Sequence, residues 1–337
     1  MAAAQNLVQD VARRLQRLAS TDQLENFSLR EMFSEVFKKR TPEEVEEHFI
    51  TGTSKSTPPI DQVQTGWPKP WFFFRALAAI GAVYLGFFFL LKEYLNPKMV
   101  PGVIFMGILA FPVATLILFF ELNTPRNVSL YRVIMMVASG GLVALAFTHV
   151  GFAMANLGWM GAASAGIVEE TAKFIAVAWY ARQMKYPYIL NGLLFGAAVG
   201  AGFEIFENAG YTFETAHKTM AVDAIESSLL HRGLTAPFCH IIWTSISAAA
   251  LWRARGTQPL SASHFLDPTF LRAYLIPVGL HMVWNSPIPN PANLKYAAVA
   301  LAGWFVVLGL VQQGLRQVRR EQMERARHTL STVRIAS

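Results

Sequence analysis

Apolar runs of about twenty residues recur along this chain, each bounded by a short polar connector. That is the length a helix needs to cross roughly 30 Å of hydrocarbon at about 1.5 Å per residue. The pattern predicts eight membrane-spanning helices, at approximately 71–92, 99–120, 131–154, 158–181, 188–210, 233–252, 270–286 and 294–313. The sixth and seventh are short or interrupted, so seven or nine would also fit. Pro237 and Pro277 are the residues placed to break them. The expected fold is all-α, a polytopic membrane helical bundle.

Outside these runs the pattern changes. Residues 1–70 are polar, with Leu7, Val11, Leu15 and Leu18 at helical spacing. Thr41-Pro42-Glu43-Glu44 reads as a helix start, with proline in the first turn and a capping-box glutamate. This is a small helical N-terminal cytosolic segment, read as a regulatory or docking module, with a solvated tail as the alternative. Residues 71–313 form the membrane core. Residues 314–337 form a basic tail with Arg316, Arg319, Arg320, Arg325 and Arg327.

Composition sharpens this picture. The chain has 337 residues, 53% hydrophobic and 15% charged, against about 25% charged in soluble domains. The net charge of +7 is explained by cytosolic connectors, and no basic-aromatic motif points to nucleic acid. With the amino terminus inside, the inner connectors hold Arg126, Arg182, Lys185, Arg253 and Arg255, and the outer ones Lys92, Lys98, Lys218 and Lys295. Both termini are therefore expected in the cytosol, with 211–232 as a long external loop. No signal-peptide pattern precedes the first run, which is expected to act as an uncleaved anchor. The single cysteine, Cys239, excludes a disulfide framework and a multi-cysteine zinc site. Its neighbour His240 points about 100° away on a helix, so Cys239 reads as a buried thiol.

Four of the runs carry polar groups where lipid-facing residues belong. The fourth has Glu169, Glu170 and Lys173; the fifth has Glu204, Glu207 and Asn208; the sixth has His240, Thr244 and Ser247; the seventh has His281 and Asn285. A charge at the bilayer centre costs roughly 2.5–3.5 kcal/mol on insertion scales, so such groups mark function by default. Glu169 precedes Lys173 by four residues, the favourable order for a helix ion pair. Paired carboxylates held in different environments suit general acid–base work. Glu169 lies roughly 16 Å from the outer start of its run at about 1.5 Å per residue, and Glu207, His240, His281 and Asn285 fall in the outer halves of theirs, so one cavity open to the external side is expected. Singly, each has a plain reading: a packing histidine, a helix-gluing asparagine, a structural ion pair. The same holds for Gly192, Gly196 and Gly200, a GxxxGxxxG face of ordinary helix packing. No HExxH, no serine-elbow, no intramembrane aspartate pair and no Walker A motif is present.

Four motifs resemble the PrsW family of intramembrane proteases, within the superfamily that holds the CAAX prenyl endopeptidases. They are Glu169-Glu170-Thr-Ala-Lys173 for EExxK, Phe203-Glu-Ile-Phe-Glu207-Asn208 for FxxxEN, Arg232 with His240, and His281-Met-Val-Trp284-Asn285 for HxxWN. They span 158–286 and leave the first two runs and 1–70 uncovered. The resemblance implies hydrolysis of a peptide bond in a single-span or membrane-associated protein, anti-sigma factors being typical, near the external face of a bacterial inner membrane. Carried over by position, it makes Glu169 the water-activating base, Glu170 and Lys173 its tuning partners, and His281 with Asn285 the oxyanion donors. Glu207 stands where the CAAX relatives have histidine, which leaves His240 as the candidate to share the water. No cofactor is expected on this reading, because Lys173 disfavours a cation beside the carboxylates. A zinc-dependent version, with two histidines and a glutamate as ligands, is the alternative. Outside the family, a proton-coupled transporter using the buried carboxylates, or an inactive scaffold, would also retain these groups.

Overall fold

Every apolar run read from the sequence is helical in the structure, a computed structural model. It describes residues 2–22, 24–219 and 221–336, with side chains described only from residue 9 to residue 331. The Leu7 side chain, part of the expected amphipathic stripe, lies outside the described residues. Among the described residues there is no strand. The helices are α1 (Ala2–Leu18), α2 (Leu29–Met32), α3 (Pro42–Phe49), α4 (Phe72–Tyr94), α5 (Val100–Leu122), α6 (Leu130–Met135), α7 (Gly141–Ala155), α8 (Ser164–Ala181), α9 (Ile189–Thr219), α10 (Val222–Thr235), α11 (His240–Arg255), α12 (Ala262–Phe265), α13 (Pro268–Asn285) and α14 (Leu294–Ala336). A π-helical stretch, Met136–Gly140, joins α6 to α7 into one span.

Among the described residues, six helical stretches are long and apolar enough to cross a membrane: Phe72–Tyr94, Pro97–Leu122, Leu130–Ala155, Ile189–Thr219, Val222–Arg255 and Pro291–Ser331. The other two expected spans are α8 and α13, of 18 residues each. These two carry the polar groups described below, which lowers their hydropathy, and they bury those groups against neighbouring helices rather than lipid. Pro277 does not break α13, which is continuous around it.

Two expectations are corrected. The stretch 211–232 is not a loop: α9 continues to Thr219 and α10 starts at Val222, forming a helical hairpin. Hydropathy reports polarity, and Tyr211–Thr219 is polar without glycine or proline, so the helix has no reason to stop. Nor does the last span end before the basic tail. Residues 294–336 are one helix of 43 residues, apolar at first and charged later.

Helix α9 is buried along most of its length and organises the bundle. Its glycine face lets α11 approach closely. A Cβ on Gly200 would lie 2.6 Å from the His240 carbonyl oxygen and 2.9 Å from Ile241 Cα. The same holds between α8 and α13, where a Cβ on Gly166 would lie 2.7 Å from the Met282 backbone nitrogen. These two crossings bring the first turn of α11 and the last turns of α13 against the glutamates of α8.

The N-terminal segment is docked rather than free. Ala19, Met32, Ile60 and Val63 are buried in the same core as the bundle. Arg253, at the end of α11, donates to the carbonyls of Ala19 (2.9 Å) and Ser20 (2.7 Å). Arg316 pairs with Asp22 at 2.9 Å and Glu25 at 2.6 Å. The expected capping box at Thr41 and Glu44 is present. Glu121 on α5 accepts from the backbone N–H groups of Trp71 (2.8 Å), Phe72 (2.8 Å) and Phe73 (3.0 Å), which start α4. Between α12 and α13, Asp267 caps α13; its bond from the Thr269 hydroxyl, then that from the Phe270 N–H, holds its carboxyl below its ordinary range. The N-terminal segment, the ends of α5 and α11 and the charged half of α14 therefore share one side of the bundle.

Candidate active site

On the opposite side the polar side chains of five helices meet in a cavity of about 400 Å³. Glu169 lines it from α8, with Glu170 and Lys173 buried behind it, at exposures of 7%, 1% and 0%. Adjacent helix positions diverge by about 100°, so the two carboxylates do not do the same thing. Lys173 Nζ lies 2.6 Å from Glu170 Oε1 but 4.0 Å from Glu169 Oε2. The expected ion pair between Glu169 and Lys173 is present at 4.0 Å, but the ammonium lies closer to Glu170, three residues back, and turns toward α11. There it lies 2.6 Å from His240 Nδ1 and 4.6 Å from the centre of the Phe203 ring.

The histidines complete a pattern. His281 Nδ1, on α13, lies 2.8 Å from Glu170 Oε1, which leaves its Nε2 facing Glu169 Oε2 at 3.9 Å. His240 Nε2 lies 3.2 Å from Glu207 Oε2, which leaves its Nδ1 facing the same Glu169 oxygen, also at 3.9 Å. Each imidazole is therefore oriented by one carboxylate through one nitrogen and offers the other nitrogen to a common centre. Trp243 backs this arrangement, its ring stacked on His281 at 4.6 Å between centroids.

Arg232 extends the network outward. From α10 it donates through Nε to Asn208 Oδ1 (2.5 Å) and through a terminal nitrogen to Glu207 Oε2 (2.8 Å). Asn208 Nδ2 donates to Glu204 Oε1 at 2.9 Å. The guanidinium also lies over the Tyr211 ring, 4.1 Å from its centre. An unbroken chain of polar contacts thus runs from Glu204 through Asn208, Arg232, Glu207, His240, Lys173 and Glu170 to His281. Glu169 faces that chain, and Asn285 lines the cavity one turn beyond His281.

All eight residues singled out in the sequence line this cavity or join this network: Glu169, Glu170, Lys173, Glu207, Asn208, His240, His281 and Asn285. Cys239 also lines the cavity, as a buried free thiol without a bond to His240. Three contributors were not among the eight. Arg232 was visible as a motif member and Glu204 as a polar neighbour. Trp243 carried no signal beyond its position three residues after His240.

A model of the PrsW family intramembrane metalloproteases matches residues 128–311. The chain belongs to the PrsW family. The match runs from the loop before α6 into α14 and contains every residue of the network, while 1–127 lie outside it. No curated protein and no solved structure matched the chain. As a PrsW family member it is an integral membrane peptide hydrolase.

The family description raises the question of a metal, and the donor set fits one. Glu169, His240 and His281 are all buried and each offers a ligand atom, the three lying within 4.8 Å of one another. The Oε2 atoms of Glu169, Glu170 and Glu204 are buried without a hydrogen-bond partner, an arrangement that is costly unless something else satisfies them. Four carboxylates of the site face two permanent cations, Lys173 and Arg232. A divalent cation beside them would offset whatever negative charge these two cations do not.

Proposed function

We propose that this PrsW family member is a metal-dependent endopeptidase that cuts a membrane-anchored protein near the external face. The observation that carries this reading is the pair of carboxylate-oriented histidines whose remaining nitrogens both lie 3.9 Å from Glu169 Oε2. Glu169, His240 and His281 would hold the metal, with Glu207 and Glu170 fixing the two imidazoles. Three protein ligands leave a position open, and such a metal supplies a water acidic enough to attack a carbonyl at neutral pH. This departs from the metal-free carboxylate favoured by the sequence, because Lys173 turns to Glu170 and leaves Glu169 Oε2 without a hydrogen bond.

The remaining groups do the proton and charge work. Glu204 lines the cavity and has Oε2 without a partner. It is the carboxylate left to take a proton from the attacking water and return it to the leaving amine. Asn285 donates from its side-chain amide to the developing oxyanion. Tyr211, Arg232 and Trp284 also line the cavity.

The basic connectors share the side that carries the N-terminal segment and the charged half of α14, which supports cytosolic termini and an external cavity in a bacterial inner membrane. The lipid bilayer is then the medium through which a single-span, anti-sigma-factor-like substrate reaches the site. The test is cleavage of a co-expressed single-span substrate by wild type, Glu169→Ala and His281→Ala. Cleavage abolished in both variants is expected; cleavage undiminished in both overturns the assignment of the site.

A further inference from the structure

One atom of the proposed metal site already has a partner. His240 Nδ1, which faces Glu169 Oε2, lies 2.6 Å from the Lys173 ammonium. An ammonium has donors only, so His240 Nδ1 is the acceptor of that bond and the proton of the ring sits on Nε2, toward Glu207. A single lone pair cannot serve an N–H donor and a metal together. Lys173 is fully buried on α8.

We propose that Lys173 is a resident cation that holds the metal-free site together and competes with the metal for His240. The inference rests on the metal-bearing reading of the site. Without metal, the ammonium bridges Glu170 and His240 and stands 4.0 Å from Glu169 Oε2, offsetting part of the excess negative charge. When the metal enters, the ammonium gives up His240 and keeps Glu170. Glu170 Oε2 is buried and unpartnered, so a second acceptor on the same carboxylate is available to it. The Phe203 ring, 4.6 Å from Nζ, supplies an electron-rich face in the same pocket. The His240 proton stays on Nε2 throughout, held by Glu207.

The prediction is opposite to that for a supporting residue. A lysine needed to shape the site would weaken metal binding when removed; a competitor strengthens it. The test is zinc affinity of the full chain in detergent, stripped of metal and titrated against a chromophoric chelator. Lys173→Met is expected to bind zinc about tenfold or more tightly than wild type, since one positive charge beside the site is gone. Lys173→Arg, which keeps the charge, is expected to bind no more tightly than wild type. Cobalt absorption should report the same histidine-containing ligand set in wild type and Lys173→Met. Lys173→Gln removes the charge but keeps an N–H for Glu170, carries the same expectation, and serves as the comparison if Lys173→Met does not fold. Equal or weaker zinc binding in the uncharged variants, with wild type binding zinc, overturns the inference alone. Absence of zinc binding in wild type and all variants overturns the metal reading itself.

Discussion

His281 Nδ1 lies 2.8 Å from Glu170 Oε1, tying the last turns of α13 to the middle of α8 where both side chains are buried. This bond fixes which nitrogen of His281 faces Glu169. Losing it should therefore act on metal affinity more than on the reaction's other groups. Glu170→Ala is expected to lower zinc affinity about 10–100-fold, the usual cost of losing an orienting partner behind a metal ligand. Equilibrium dialysis against zinc measures it. The same variant leaves the buried Lys173 without its carboxylate, so a lower unfolding temperature should accompany the loss.

Arg232 makes a fork that lysine cannot copy. Its Nε and a terminal nitrogen bond Asn208 and Glu207 together, at 2.5 and 2.8 Å. Arg232→Lys is expected to reduce cleavage by about tenfold, equivalent to one lost hydrogen bond to a charged group. Metal content should be unchanged, because Arg232 touches no ligand of the metal. A parallel assay of cleavage rate and bound metal separates the two effects.

Close packing at Gly200 makes a different prediction. A side chain there meets the His240 backbone, which cannot give way without moving the site. Gly200→Val is expected to destabilise the protein by about 1–3 kcal/mol through overpacking. Gly210, on the same helix, has open space where a Cβ would stand, with nothing within 4 Å, and Gly210→Ala should be neutral or stabilising. Thermal unfolding in detergent, compared for the two variants, distinguishes them.

On the side of the bundle that carries the N-terminal segment, Glu121 satisfies three backbone N–H groups at the start of α4. Glu121→Ala leaves those donors buried, at a cost of about 1–3 kcal/mol or more. The expected result is a lower unfolding temperature with cleavage per folded molecule intact, since the residue lies across the bundle from the cavity. Loss of cleavage at full folding would show that the two sides are coupled.

The polar residues within apolar runs were the most legible part of this chain. Burying a charge in a membrane is expensive, so Glu169, Glu170, Lys173, Glu207 and both histidines stood out by position alone, and all meet in one site. The positions of the apolar helices were legible from hydropathy for the same reason. What hydropathy does not read is conformation in polar stretches: Tyr211–Thr219 is polar and helical, and α14 continues as a helix through its arginines. Partner choice was also hidden. Spacing matched Lys173 with Glu169, four residues away, a pair that stands at 4.0 Å; the closer contact with Glu170 was hidden because spacing ignores the pull of His240 on a neighbouring helix. Trp243 gave no signal, since a tryptophan in an apolar run reads as ordinary core until the imidazole beneath it is seen.

Metal content measured alongside proteolysis is the most direct test of the site. Purified wild type should carry about one equivalent of a divalent metal, lose cleavage of a single-span reporter when chelated, and regain it on zinc addition. His281→Ala should carry little metal and cleave nothing. Full cleavage by wild type stripped of metal would contradict the central claim and return Glu169 to the role of an unassisted base.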